Sequence, residues 1–238
     1  MLTLLKKRLA RAKAKAALEE ASHPPHEEVE LPVVTGEVIH DPLQGKPWDE
    51  VQRMLDIDLD FVRTLAGFDE KNAFRKELIK KYQATVVNLL ATKESLEGLD
   101  LVWWHFLWQV DCGSLDVVHN DFKAAVLRGL SAPKRWNSNG QTAFCDIVFK
   151  YSHSAHTEKV LFNPTFLLGL VNDITQGKLA VNAPLKVKIF RLAGDLMDQQ
   201  GEKKVALSLF TLVMEIDPNR GGRKTRVQEL TVELKGSE

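Results

Sequence analysis

From Trp48 nearly to the C-terminus, apolar residues recur at three- and four-residue steps, the spacing of one face of an α-helix. Phe74, Leu78, Tyr82, Val86 and Leu89 show it most plainly, forming a single stripe. Such a stripe must be buried against other elements, and no alternating strand pattern competes with it over this stretch. The expectation is an all-α fold, a helical bundle. Helices are expected at about 48–66, from a cap at Asp69 onward, and at 99–110, 115–130, 141–153, 158–176, 185–199, 202–215 and 223–235. The run SAPKRWNSNGQ is a loop by composition. Trp103, Trp104 and Trp108 lie inside an apolar run and are expected in the core. Trp136, flanked by Lys134 and Arg135 in the loop, is better placed to stack on nucleic acid.

Within this pattern lies a repeat. Phe190 to Pro218 has the spacing of a tetratricopeptide (TPR) unit. Gly194 falls where two helices must approach closely, and Gly201 ends the first of them. Ala206 and Phe210 pack the second, which Pro218 stops. A shift of 88 residues gives a degenerate copy, with Gly113, Val118 and Phe122 in place of Gly201, Ala206 and Phe210. Two TPR-like helical hairpins are therefore expected to frame the domain. They explain architecture, not chemistry.

Charge carries more information by position than by total. Lys plus Arg (32) balance Asp plus Glu (32) over 238 residues, which disfavours a protein that coats nucleic acid with its whole surface. The zero is a sum of unlike parts. Residues 1–18 carry Lys6, Lys7, Arg8, Arg11, Lys13 and Lys15 and no acid, whereas residues 19–60 carry twelve acids against Lys46 and Arg53. Arg220, Arg223, Lys224 and Arg226 make a second basic cluster. The chain thus divides into a basic N-terminal helix (1–20), an acidic linker with five prolines (21–47), a helical domain holding the degenerate repeat (48–133), and C-terminal helices ending in a TPR-like hairpin (134–238). The first helix fits an arm that neutralises DNA phosphates, a solvated terminus, a targeting peptide, or an oligomerisation element using Leu2, Leu5 and Leu9.

The sequence excludes several chemistries. There is no glycine-rich phosphate loop, GxSxG or HExxH motif. Cys112 and Cys145 are the only cysteines and lack CxxC spacing, against a disulfide framework or thiolate zinc site. No run approaches the roughly 20 apolar residues of a membrane helix, so no membrane partner is expected. His153 and His156, like His23 and His26, lack matching carboxylates and read as surface or capping residues. Asp56, Asp58 and Asp60 could resemble a two-metal nuclease cluster, but on a helix only Asp56 and Asp60 share a face, and no Glu-x-Lys element accompanies them. No catalytic residue, metal ligand or cofactor is assigned.

The stretch FLWQVDCGSLDVV followed by AAVLRGLSAP resembles the small terminase subunit of temperate contractile-tailed phages of the peduovirus type, often labelled a terminase endonuclease subunit. Trp108, Asp111, Gly113, Gly129, Leu130 and Pro133 match that family's pattern over a resemblance spanning about residues 46–234. Gln109 and Ser114 depart from it, standing where the family has Arg and Asp, and the family's basic C-terminal tail has no counterpart. The resemblance implies a DNA-packaging role in the bacterial host cytoplasm, with double-stranded phage DNA, the large terminase subunit and further copies of the chain in a ring as partners. Endonuclease activity is then expected of the complex rather than of this chain. Within that frame the DNA-binding candidates are the six basic residues of the first helix with Lys134 and Arg135. The competing reading is a non-catalytic helical-repeat adaptor that binds protein segments only.

Overall fold

A computed structural model of the chain describes residues 43–236 apart from 114, 135, 137 and 159–162. The expected basic helix and the linker up to residue 42 lie outside the described residues. Nine helices and no strand occur among those described: α1 (Trp48–Thr64), α2 (Gly67–Thr92), α3 (Asp100–Asp111), α4 (Leu115–Leu127), α5 (Gly140–Glu158), α6 (Thr165–Thr175), α7 (Ala183–Gln199), α8 (Lys203–Ile216) and α9 (Lys224–Lys235). The all-α expectation holds.

The departures are local and have physical causes. Helix α2 starts at Gly67, and its capping carboxylate is Glu70, which accepts the Ala66 N–H at 2.8 Å; Asp69 already lies within the helix. Helix α5 continues through the polar run to Glu158, well past residue 153, with Ser152 buried on its inner face. Helix α6 begins only at Thr165, where Pro164 disfavours helix before it and the Asn163 side chain accepts the Thr165 N–H at 3.0 Å. Leu43, five residues ahead of α1, is already part of the core.

Among the described residues each helix packs chiefly on its neighbours in sequence, and α5 also meets α7. Helix α3 is the most enclosed: Leu101, Val102, Trp103, His105, Phe106 and Trp108 are all buried, so it presents apolar surface to several neighbours at once. Burying side chains of this size contributes roughly 1.5–3 kcal/mol each. Trp103 meets Phe122 of α4 edge-on with ring centroids 5.1 Å apart, and Phe122 in turn meets Phe144 of α5 at 5.3 Å. Arg128, just after α4, closes the C-terminus of α2. Its guanidinium donates to the Leu90 carbonyl at 2.9 Å, the Glu94 carbonyl at 3.4 Å and the Lys93 carbonyl.

The two hairpins related by the 88-residue shift share some features and differ in one. Gly113 and Gly201 both adopt left-handed backbone, with φ of 87° and 82°, just after α3 and α7. Val118 and Phe122, like Ala206 and Phe210, are buried on the second helix of each pair. The difference lies at the crossing. Gly194 lets Phe210 seat directly on the α7 backbone, and α7 with α8 forms the most extensive helix pair. The position 88 residues earlier is Phe106, whose ring stacks on Phe122 at 4.9 Å and holds α4 a ring's thickness away.

Candidate functional site

A groove of about 770 Å³ lies between α1, the start of α3 and the loop after α4. Leu55, Leu59 and Trp104 give it apolar walls, and Asp56, Asp60, Glu97 and Asp100 make it acidic. Burial raises the pKa of the Asp100 carboxyl, and the nearby Asp56 charge pushes it the same way, against the opposing pull of Lys134. Arg63 is tied to Asp60 in an ion pair. Lys134, named from the sequence as a DNA contact, therefore stands at the lip of an acidic groove, where its charge is offset. Arg135 and the six basic residues Lys6, Lys7, Arg8, Arg11, Lys13 and Lys15 lie outside the described residues.

The three aspartates of α1 do not converge. Asp56 and Asp60 face the groove, while Asp58 turns to α2, where its Oδ2 accepts from Tyr82 Oη and pairs with Lys81 Nζ, both at 2.6 Å. Among the described residues no group of three or more His, Cys, Asp or Glu side chains is arranged to hold a metal ion. Nor is any helix there long and apolar enough to cross a membrane.

Trp136 is held by the fold. Its indole packs edge-on against Trp103 and Trp104, with centroids 5.5 and 6.3 Å away, so the ring the local sequence suggested for base stacking extends the core. Gln109, where the resembling family has arginine, places its amide nitrogen 3.1 Å from Nδ1 of the buried His105.

The second basic cluster splits in two. Arg223 grips both oxygens of Asp195 on α7, at 2.8 and 2.5 Å, and lies over the Phe210 ring. Arg226 does the same to Asp198 one turn along, at 2.7 Å for each bond, and also reaches Glu229 and Glu233 on α9. These pairs fasten α9 to α7, and the Arg226 contacts hold the Asp198 carboxyl below the usual carboxylate range. Arg220 and Lys224 remain exposed. His153 and His156 at the end of α5 border a depression shared with Lys188 and Arg191 of α7, two cations that the charge pattern along the chain did not single out.

No curated protein matches the chain, and no solved structure does. The family model described as the phage small terminase subunit matches residues 52–182. That segment runs from the second turn of α1 through α6 and contains the whole groove wall, the tryptophan cluster and the Arg128 cap. It covers more than half of the chain, which therefore belongs to the phage small terminase subunit family and has that family's role in packaging DNA.

Proposed function

We propose that the chain binds double-stranded phage DNA at the packaging site, in the host cytoplasm, and presents it to the large terminase subunit, which supplies the ATPase and nuclease chemistry. The observation that carries this reading is family membership over residues 52–182 joined to an acid-free head of six cations. Each phosphate that the head neutralises releases a counterion, so one arm gives modest, salt-sensitive affinity. A ring of copies multiplies the arms and raises avidity through effective concentration. The acidic linker gives each arm reach, and its charge restrains the arm when DNA is absent. Subunit contact through α1 is supported by Ile57 and Phe61, one turn apart, which stay 62% and 48% exposed despite their apolar side chains. The α7–α8 pair is read as the TPR-like hairpin of the C-terminal segment.

A second reading, a helical-repeat adaptor for protein segments, is favoured by the acidic groove with its Leu55, Leu59 and Trp104 walls, which suits a basic peptide. Solution mass and a mobility shift with duplex DNA separate the two. The packaging reading expects an oligomer whose DNA binding weakens steeply with salt. A full chain with Lys6, Lys7, Arg8, Arg11, Lys13 and Lys15 all changed to Gln should lose most of that binding. A monomer that ignores DNA leaves the adaptor, and undiminished binding by the neutralised chain removes the arm from the mechanism.

A further inference from the structure

Lys188 and Arg191 lie one helical turn apart on α7 and together line two adjoining depressions, of about 340 and 200 Å³. Arg220, from the loop between α8 and α9, completes the first. His153 and His156 of α5 complete the second, with Arg223 at its rim. Arg191 spans toward the loop: its Nη1 lies 3.8 Å from where a Cβ on Gly222 would sit, an ordinary contact distance. Helix α7 and the segment between α8 and α9 thus bring their cations to one face, with the α5 histidines at its edge.

The nearby carboxylates are already committed. Asp195 gives both oxygens to Arg223, and Asp217 Oδ1 accepts the Arg220 backbone N–H at 2.8 Å. Among the described residues, Lys188, Arg191 and Arg220 form no ion pair, in contrast to Arg223 and Arg226 of the same region. Counting Lys and Arg against Asp, the face keeps two more positive than negative side chains. Like charges gathered within a Debye length, about 8–10 Å, repel one another and add nothing to the stability of the fold. An anionic partner relieves that repulsion.

We propose that this face, built from Lys188, Arg191 and Arg220 with His153 and His156 at its edge, is a second contact for the phosphate backbone of double-stranded DNA, on the helical body itself. The proposal rests on the packaging reading and adds to it a site distinct from the N-terminal arm. Shape favours a polyanion over a small phosphate ester: the cations are not gathered into one pocket but line two adjoining depressions that share Lys188 and Arg191. Lysine and arginine side chains of this kind position a duplex without reading its sequence. Lys188, Arg191 and Arg220 also lie beyond residue 182, where the family match ends, so the match does not itself bring them.

The test uses the full chain, duplex DNA of arbitrary sequence and a series of sodium chloride concentrations. Lys188→Ala with Arg191→Ala should weaken binding about tenfold at low salt and reduce the slope of log affinity against log salt by about 2, close to 0.9 for each lost phosphate contact. Arg220→Ala should act in the same direction by about half as much. Lys80→Ala, an exposed cation on α2, should leave both quantities unchanged. Lys188→Glu, at an exposed position, gives a second reading of the same face should the double variant fail to fold. If the parent binds DNA and these variants bind with its affinity and slope, the face is not a DNA contact. A change in subunit number with DNA affinity intact would instead make it a contact between copies and overturn the proposal. A parent chain that ignores DNA overturns the packaging reading and this one with it.

Discussion

Gly194 on α7 faces the ring of Phe210 on α8 so closely that a Cβ at position 194 would meet Phe210 Cδ1 at 2.7 Å and overlap Cε1 more deeply. The ring cannot swing away, since Phe210 is fully buried and Arg223 lies over it. Gly194→Ala should therefore destabilise the chain by about 1–3 kcal/mol through overpacking, outweighing the higher helix propensity of alanine. Adding Phe210→Leu should recover part of the loss. Denaturant melts of the two single variants and the double give the coupling, and a purely additive result would place the strain elsewhere.

Arg128 supports a prediction about a helix end far from it in sequence. Its guanidinium takes the Leu90, Lys93 and Glu94 carbonyls that α2 leaves open at its C-terminus. Arg128→Ala should cost about 1–2 kcal/mol, because charged hydrogen bonds are lost and the part-buried Leu90 carbonyl is left unpaired. Arg128→Lys keeps the charge but not the fork, and should recover only part of that cost. Hydrogen exchange should localise the damage to the last turn of α2 and the segment 93–97. Exchange unchanged there would show that the cap contributes nothing.

Periodicity made the helices legible because helices such as α2 bury a stripe at three- and four-residue steps, and the two glycines that the 88-residue shift pairs, Gly113 and Gly201, both follow helix ends. What one position looks like beside its chain neighbours was a poorer guide. Trp136 reads as a nucleic-acid contact next to Lys134 and Arg135, yet Trp103 and Trp104, more than thirty residues away, draw the ring into the core. Arg220, Arg223, Lys224 and Arg226 read as one basic patch, but helical geometry turns two of them onto Asp195 and Asp198. The cationic face on α7 was hidden for the complementary reason: its members come from three elements, and no window along the chain contains them together.

The paired clamps of α9 can be tested by shortening one carboxylate. Asp198 takes Arg226 through two 2.7 Å bonds, with Arg226 30% and Asp198 20% exposed, so solvent screens the pair only partly. Asp198→Ala should cost about 1–2 kcal/mol and loosen α9 before the rest of the molecule, seen as faster proteolysis or exchange in residues 224–235. The Asp198 carboxyl is held below its ordinary range, so its contribution is complete above the unfolded pKa near 3.8 and fades as pH falls through the lower folded value. Parent and variant should therefore converge in stability in strong acid. A gap that persists there would mean the loss is packing rather than charge.

His105 gives the clearest pH dependence. It is 2% exposed on α3, with the Gln109 amide nitrogen at 3.1 Å from its Nδ1 and Phe106 edge-on to its ring. Burial disfavours the imidazolium and pushes its pKa from 6.5 down to about 4. Between those values the unfolded chain takes up a proton that the folded chain does not. Stability from this group is then fully present above about 6.5 and is lost as pH falls toward 4, by at most about 1.4 kcal/mol per unit and roughly 3 kcal/mol in all. His119, shifted down by its own burial, works in the same direction, whereas the raised carboxyls of Asp100 and Asp111 oppose it. The informative quantity is therefore the difference between the parent and His105→Gln, which keeps a neutral polar group at the site. Denaturant midpoints measured from pH 7 to pH 4 should fall less steeply for the variant, the two curves drawing together by about 2–3 kcal/mol across the window. Parallel curves would show that the folded chain protonates His105 as readily as the unfolded one, and that burial on α3 does not hold the imidazole neutral.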